Sequence, residues 1–259
     1  MRILADFDSL KKRLLRFRLD DKKILFFDYD GTLAPFVKER DEAYMYDELV
    51  PLINELMVGY PDRVIFVSGR SLDSLIPLLS SCLERIPQIW GSHGNERYLD
   101  GKVEVMSDNH REQLEVIKEI IEQKGLSANS EQKVVSVTLH KRGICSRKVR
   151  KIEETINQVR SSYPGLEIKE FDGGYEILTP HKNKGHAVKR VLEEYPHHLP
   201  LYFGDDLTDE DAFVALKEIG ITFLVRKEFR KTDAHIWIKP PDGIIRIFKE
   251  GICQTAADS

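Results

Sequence analysis

Asp28 and Asp30 close the run Ile-Leu-Phe-Phe-Asp-Tyr-Asp-Gly-Thr-Leu (24–33), a wholly apolar stretch that ends in two carboxylates followed by Gly31 and Thr32. Two aspartates at the rim of a buried strand are unfavourable unless a cation or a bound ligand compensates them. Three further stretches put chemistry-bearing side chains in the same kind of place. Ser68-Gly69 follows Val64–Val67, Gly204-Asp205-Asp206 follows Leu199–Phe203, and Lys184 opens a helical pattern. If those strands are parallel neighbours, Asp28, Asp30, Ser68, Asp205 and either Asp206 or Asp209 gather in one cleft beyond their carboxyl ends. Crowded carboxylates raise one another's pKa unless a cation sits among them. A donor set of oxygens without His or Cys favours magnesium, which serves phosphate groups when positions are left open for water. In such a cleft Asp28 is placed to attack phosphorus and form an aspartyl-phosphate. Asp30 is placed to protonate a leaving alkoxide and then to activate water. Thr32 and Ser68 can donate hydroxyl hydrogen bonds to phosphoryl oxygens, and Lys184 can hold a point charge against them.

The elements that must position these residues alternate. A helix is expected over 6–18 with Leu10, Leu14 and Phe17 on one face, then the strand 24–28. Asp6 and Asp8 imitate the later pair but lack the glycine, and suit a helix N-terminus. A helix around Asp47–Met57, stopped by Gly59, leads to the strand Val64–Val67. Ser71 starts another helix, and Gln88–Trp90 reads as a third strand. This order signifies βαβ units and a parallel sheet. The texture changes at Tyr98–Met106, a hairpin around Asp100-Gly101. A helix over 109–123, an alternating strand Glu131–Leu139, a helix over 146–160 and strands at 166–170 and 174–178 follow. The parallel pattern resumes with a helix Lys184–Tyr195, the strand Leu199–Phe203 and a helix capped by Thr208. Strands Ile221–Val225 and His235–Ile238 and a helix Gly243–Phe248 complete it; Gln254–Ser259 reads as a frayed end. The expected fold class is α/β, a Rossmann-like parallel core made of 1–97 plus 179–259, with an α+β cap domain, 98–178, inserted into it.

The bulk properties narrow the function without choosing it. A chain of 259 residues, 41% apolar and 32% charged, can bury a full core. Its net charge of -4 and the absence of a basic stretch interleaved with aromatics argue against a nucleic-acid binder. No apolar run is long enough for a membrane span, and the N-terminus has no signal-peptide h-region. Cys82, Cys145 and Cys253 are far apart and read as reduced thiols. A cytoplasmic enzyme acting on a small molecule fits these properties.

Phe27-Asp28-Tyr29-Asp30-Gly31-Thr32-Leu33, Ser68, Lys184 and Gly204-Asp205-Asp206 resemble, in order, the four motifs of the haloacid dehalogenase superfamily of phosphohydrolases. The resemblance implies magnesium held by Asp28, Asp205 and the backbone carbonyl of Asp30, with Asp206 and Asp209 behind them. It implies phosphate contacts from Thr32, Ser68, Gly69 and Lys184, and a cap between the second and third motifs. Within that superfamily the chain is most similar to trehalose-6-phosphate phosphatases. Val67-Ser68-Gly69-Arg70-Ser71, Gly91-Ser92-His93-Gly94-Asn95-Glu96, Leu139-His140-Lys141-Arg142 and the stretch from Gly204 to Phe213 carry the similarity, joined by Tyr175-Glu176-Ile177-Leu178-Thr179-Pro180. This carries substrate contacts onto Arg70, His93, Glu96, His140, Arg142 and Glu176. Where the family pattern has an arginine two residues after that glutamate, this chain has Leu178. The expected activity is magnesium-dependent hydrolysis of a sugar phosphate, trehalose 6-phosphate first. Glucosylglycerate or sucrose phosphates, and a phosphosugar mutase, are the alternatives.

Overall fold

The computed structural model describes residues 1–4, 7–19, 22–105, 109–132, 136–171, 173–178 and 183–250. Asp6, Met106, Val135, Asp172, Thr179, Pro180, Cys253 and Gln254–Ser259, which enter the expectations above, lie outside them. The elements run β1 (Arg2–Ile3), α1 (Phe7–Leu19), β2 (Lys23–Phe27), α2 (Leu49–Gly59), β3 (Val64–Val67), α3 (Leu72–Ser80), β4 (Gln88–Gly91), β5 (Glu96–Leu99) and β6 (Lys102–Val105). Next come α4 (Asn109–Gln123), β7 (Ser130–Gln132), β8 (Ser136–His140), α5 (Ser146–Ser162), β9 (Glu167–Phe171) and β10 (Gly174–Leu178). The chain ends with α6 (Lys184–Glu194), β11 (Leu199–Gly204), α7 (Glu210–Leu216), β12 (Ile221–Val225), β13 (Ile236–Ile238) and α8 (Asp242–Glu250).

By its contacts the chain divides into two compact units, Met1–Val105 with Asn183–Ser259, and Met106–Lys182. The first carries a nine-stranded sheet ordered β1-β13-β12-β11-β2-β3-β4-β5-β6. Its central strands, from β13 to β4, run parallel. Every residue of β2, β3 and β11 is buried, which is why these stretches read as unbroken apolar runs and not as alternating ones. Across the middle of the sheet Phe203 stacks on Phe27 at 4.9 Å and on Phe223 at 4.4 Å between ring centroids. This aromatic row packs across β2, β11 and β12, whose spacing the backbone ladder sets. Leu10, Leu14 and Phe17 of α1 join the same core, as their spacing requires.

Two expectations change. The hairpin assigned to the start of the insert belongs to the large sheet: β5 pairs antiparallel with β4, and β6 with β5. The short turn after β4 brings the chain straight back, so the hairpin extends the sheet edge by simple antiparallel pairing. The stretch 131–139 is not one strand either. Ser130 pairs with Leu139 and Gln132 with Val137, so β7 and β8 are two antiparallel strands, the first wholly polar and only the second alternating.

The second unit holds the four-stranded antiparallel sheet β7-β8-β10-β9. Val137, Leu139, Tyr175 and Ile177 point to one face and pack with Leu114, Ile117 and Ile121 of α4 and Ile152, Ile156 and Val159 of α5. The opposite face carries Thr138, His140 and Glu176. No helix among the described residues is long and apolar enough to cross a membrane.

Candidate active site

The parallel register of β2 with β3 and β11 brings Asp28, Ser68 and Asp205 to the same edge of the sheet. The Asp28 N–H still donates to the carbonyl of Phe203 at 2.8 Å; the chain then turns, with the N–H groups of Thr32, Leu33 and Ala34 all directed to the Tyr29 carbonyl. Gly31 takes φ +81° in this turn, and a Cβ there would stand 2.3 Å from an Asp205 carboxylate oxygen. Only glycine satisfies both the backbone angle and the close approach of the carboxylate.

Lys184 arrives from the other side of the insert. Asn183 caps α6 by accepting from the His186 N–H at 3.0 Å, which sets the direction of the first helical turn. The ammonium of Lys184 lies 2.7 Å from Asp28 Oδ1 and 2.7 Å from Asp209 Oδ1, in a side chain that is 2% exposed. Asp209 is fully saturated: Oδ1 also accepts from the Tyr202 hydroxyl, and Oδ2 accepts from the backbone N–H groups of Asp205 and Asp206. It therefore supports the site and has no oxygen to spare. Asp206 is exposed and accepts from the Leu207 N–H at 2.7 Å, so Asp206, and not Thr208, caps the turn after β11.

One carboxylate oxygen from each of Asp28, Asp205 and Asp209 lies within 4.8 Å of the others. Burial raises the Asp28 pKa well above the usual range; Lys184 opposes that rise, and Asp209 and Asp205 add to it. Asp205 is pushed up to about 7 by burial first and by Asp209 second. Burial lowers the Lys184 pKa, but Asp209 and Asp28 outweigh it and the group ends above its ordinary value. Asp205 Oδ1 is buried without a hydrogen-bond partner. Arg226 stands 4.0 Å from Oδ2, on a side chain that is 37% exposed and so screened by water. Three buried carboxylates against one buried ammonium leave a deficit that a divalent cation removes, and an all-oxygen donor set suits magnesium.

Asp30 is held apart from this cluster. Arg70 donates Nε to Oδ2 and Nη2 to Oδ1, both at 2.7 Å, and Nη1 to the Ser74 hydroxyl. Ser68 accepts the Arg70 N–H on its hydroxyl. Thr32 is fully buried with no hydrogen-bond partner for its Oγ1. Ser92 and His93 both take left-handed backbone angles, φ 48° and 57°, an arrangement that stores about 1–3 kcal/mol per residue. The turn lays the imidazole against Gly69, where a Cβ would meet His93 Cε1 at 2.7 Å.

A cavity of about 500 Å³ opens over these groups, lined by Asp28, Asp30, Gly69, Arg70, His93, Lys184, Asp205 and Asp206. Phe36, 69% exposed, and Val37 give it an apolar rim. Glu96, expected as a substrate ligand, is engaged elsewhere: its carboxylate accepts from the Ser92 hydroxyl at 2.6 Å and from the Leu72 N–H that begins α3. His140, Arg142 and Glu176 belong to the second unit. There Glu176 accepts from Ser136 at 2.8 Å, and His140 lies 3.7 Å from Glu131.

The sequence reading missed the residues that hold the β11 turn from behind. Arg230 donates to the carbonyls of Asp205 and Asp206 and pairs with Glu210, and Arg226 reaches the Asp205 carbonyl. A signal existed for Arg226, which follows the apolar strand Ile221–Val225 at the end of the sheet where Asp205 lies.

Residues 26–236 match the profile of the family described as trehalose-phosphatase. Trehalose-phosphate phosphatase B of Arabidopsis thaliana is 26% identical over 85% of this chain and 64% of its own length. Probable trehalose-phosphate phosphatase C of the same plant is 30% identical over 85% and 74%. The chain thus spans less than two thirds of the first of these relatives. Among solved structures, Aspergillus fumigatus trehalose-6-phosphate phosphatase matches with a TM-score of 0.65 at 24% identity, over 94% of this chain and 97% of that one. A haloacid dehalogenase-like hydrolase from Bacteroides thetaiotaomicron matches with a TM-score of 0.56 at 14% identity, over 88% and 98%. The solved structures show the fold alone: a mixed α/β architecture with a Rossmann-like parallel core.

Proposed function

The chain belongs to the trehalose-phosphatase family, and on that premise we propose that it hydrolyses a sugar phosphate monoester, trehalose 6-phosphate first among them, to free sugar and phosphate. The observation that carries the reading is the buried Asp28, gripped by Lys184 in the same cluster as Asp205, whose Oδ1 is buried without a hydrogen-bond partner. Asp28 attacks phosphorus as the bond to the sugar oxygen breaks, and the departing alkoxide takes its proton from Asp30. Water then attacks the aspartyl-phosphate and passes a proton to Asp30; the bond between phosphorus and Asp28 breaks and phosphate leaves. Lys184 fixes the nucleophile's rotamer and offsets charge on the transferring group. Asp28, Asp205 and the carbonyl of Asp30 would hold Mg2+, which when bound neutralises charge on the carboxylates and the phosphoryl oxygens. The unit Met106–Lys182 serves as the cap, with His140, Arg142 and Glu176 its sugar-recognising residues. The polar sheet face that carries Thr138, His140 and Glu176 supports this part of the reading.

The test is phosphate release from a panel of sugar phosphates with Mg2+. Trehalose 6-phosphate is expected to turn over fastest, and Asp28→Asn is expected to lose at least about 10³-fold in kcat with the fold retained by circular dichroism. Retained turnover in Asp28→Asn removes the nucleophile. Preference for a glucosylglycerate or sucrose phosphate keeps the reaction and changes the sugar, whereas activity only with a bisphosphate activator points to a mutase.

A further inference from the structure

Arg70 is carried by the family resemblance as a substrate contact, yet its surroundings describe another task. The residue is 3% exposed. Its guanidinium meets both Asp30 oxygens at 2.7 Å in the bidentate geometry that only arginine provides, and Nη1 is fixed on Ser74. Its backbone is held as firmly. The N–H donates to Ser68 Oγ at 3.1 Å, and the carbonyl accepts from the Ser92 N–H at 2.6 Å, inside the left-handed 92–93 turn. The Tyr29 ring lies 5.9 Å from the guanidinium carbon, and Tyr29 is itself anchored by its hydroxyl to the Ala43 carbonyl. Asp30, by contrast, is 24% exposed by side chain and lines the cavity.

We infer that Arg70 is a positioning residue for the reaction: its fork sets the rotamer of Asp30 at the cleft wall, so that the carboxyl meets the oxygen of the departing sugar. The strained 92–93 turn and Ser74 are the frame that holds the fork. This inference rests on the phosphatase reading above and adds to it a residue that acts on the leaving group through Asp30.

The leaving group supplies the readout. A sugar alkoxide needs a proton to depart, whereas p-nitrophenolate leaves without one, and kcat/KM reports the first transfer alone. With Arg70→Lys, which keeps the charge and loses the fork, kcat/KM for the sugar phosphate is expected to fall about 10²-fold while that for p-nitrophenyl phosphate falls less than about threefold. Arg70→Gln is expected to give the same split. In the Asp28→Asn background with Mg2+, calorimetric affinity for the sugar phosphate is expected to stay within about twofold when Arg70 is changed. Equal losses on the two esters, no loss on either, or a fall in affinity that accounts for the fall in kcat/KM would each overturn the inference. A wild-type protein inert towards both esters would overturn the phosphatase reading and this one together; an active wild type with equal losses overturns this one alone.

Discussion

Asp206 and Asp209 lie three positions apart in one acidic run, and the structure gives them opposite weights. Asp209 has no exposure and satisfies an ammonium, a phenol and two backbone N–H groups. Removing its charge leaves Lys184 buried with Asp28 alone. Asp209→Asn is therefore expected to destabilise the protein by about 3 kcal/mol in urea unfolding. Asp206→Asn, at an exposed cap, is expected to change stability by less than about 1 kcal/mol. That Asp28, Asp205 and Lys184 come together was legible in sequence because each follows an apolar strand or opens a helix. What each side chain would touch was not legible. Arg70 and Glu96 are polar residues near a site in either case, and only coordinates distinguish a residue that faces a ligand from one that faces another residue.

At the scale of elements, the β12–β13 edge contains a buried histidine whose charge state is tied to folding. His235 Nδ1 accepts from the Thr222 N–H at 3.1 Å, which leaves Nε2 to donate to the Lys217 carbonyl at 3.0 Å. Burial, reinforced by Arg13, lowers its pKa to about 4. Above pH about 6.5 the ring is neutral folded and unfolded alike, so it adds no pH dependence. Between that value and about 4 the unfolded chain binds a proton that the folded chain refuses, so stability falls as pH falls, and the loss levels off below about 4. Urea unfolding at pH 7.5 and pH 5 is expected to show about 2 kcal/mol more loss for the native protein than for His235→Gln over that interval. Strands were read correctly where both faces are buried, as in β2 and β11. The stretch 131–139 was misread because the alternation of β8 was extended back over the polar Ser130–Gln132, which pairs with β8 as a separate antiparallel strand.

The molecule as a whole has separate apolar cores for its two units: one built around Phe27, Phe66 and Phe203, the other around Ile117, Val137 and Ile177. Cores that share no residues can melt separately, so calorimetry is expected to resolve two transitions. On the proposed function, Mg2+ at about a hundred times its dissociation constant should stabilise the unit that holds Asp28 and Asp205 by about 2.7 kcal/mol, moving that transition up by several degrees and leaving the other in place. Asp205→Asn should abolish the shift. The insertion itself was visible in the sequence as a change of texture between two parallel stretches. Its start was placed early because a hairpin that completes a parallel sheet has the same local pattern as one that begins a new unit.

The strands that lead into Asp28 and Asp205, β2 and β11, are hydrogen-bonded neighbours drawn from opposite sides of the insert. A single proteolytic nick within 106–182 would thus sever the covalent chain while every backbone bond across the central sheet persisted. The two fragments would co-purify, and neither alone would contain both Asp28 and Lys184. Separated and remixed, they offer a route to complementation in which recovered turnover reports the pairing of two strands.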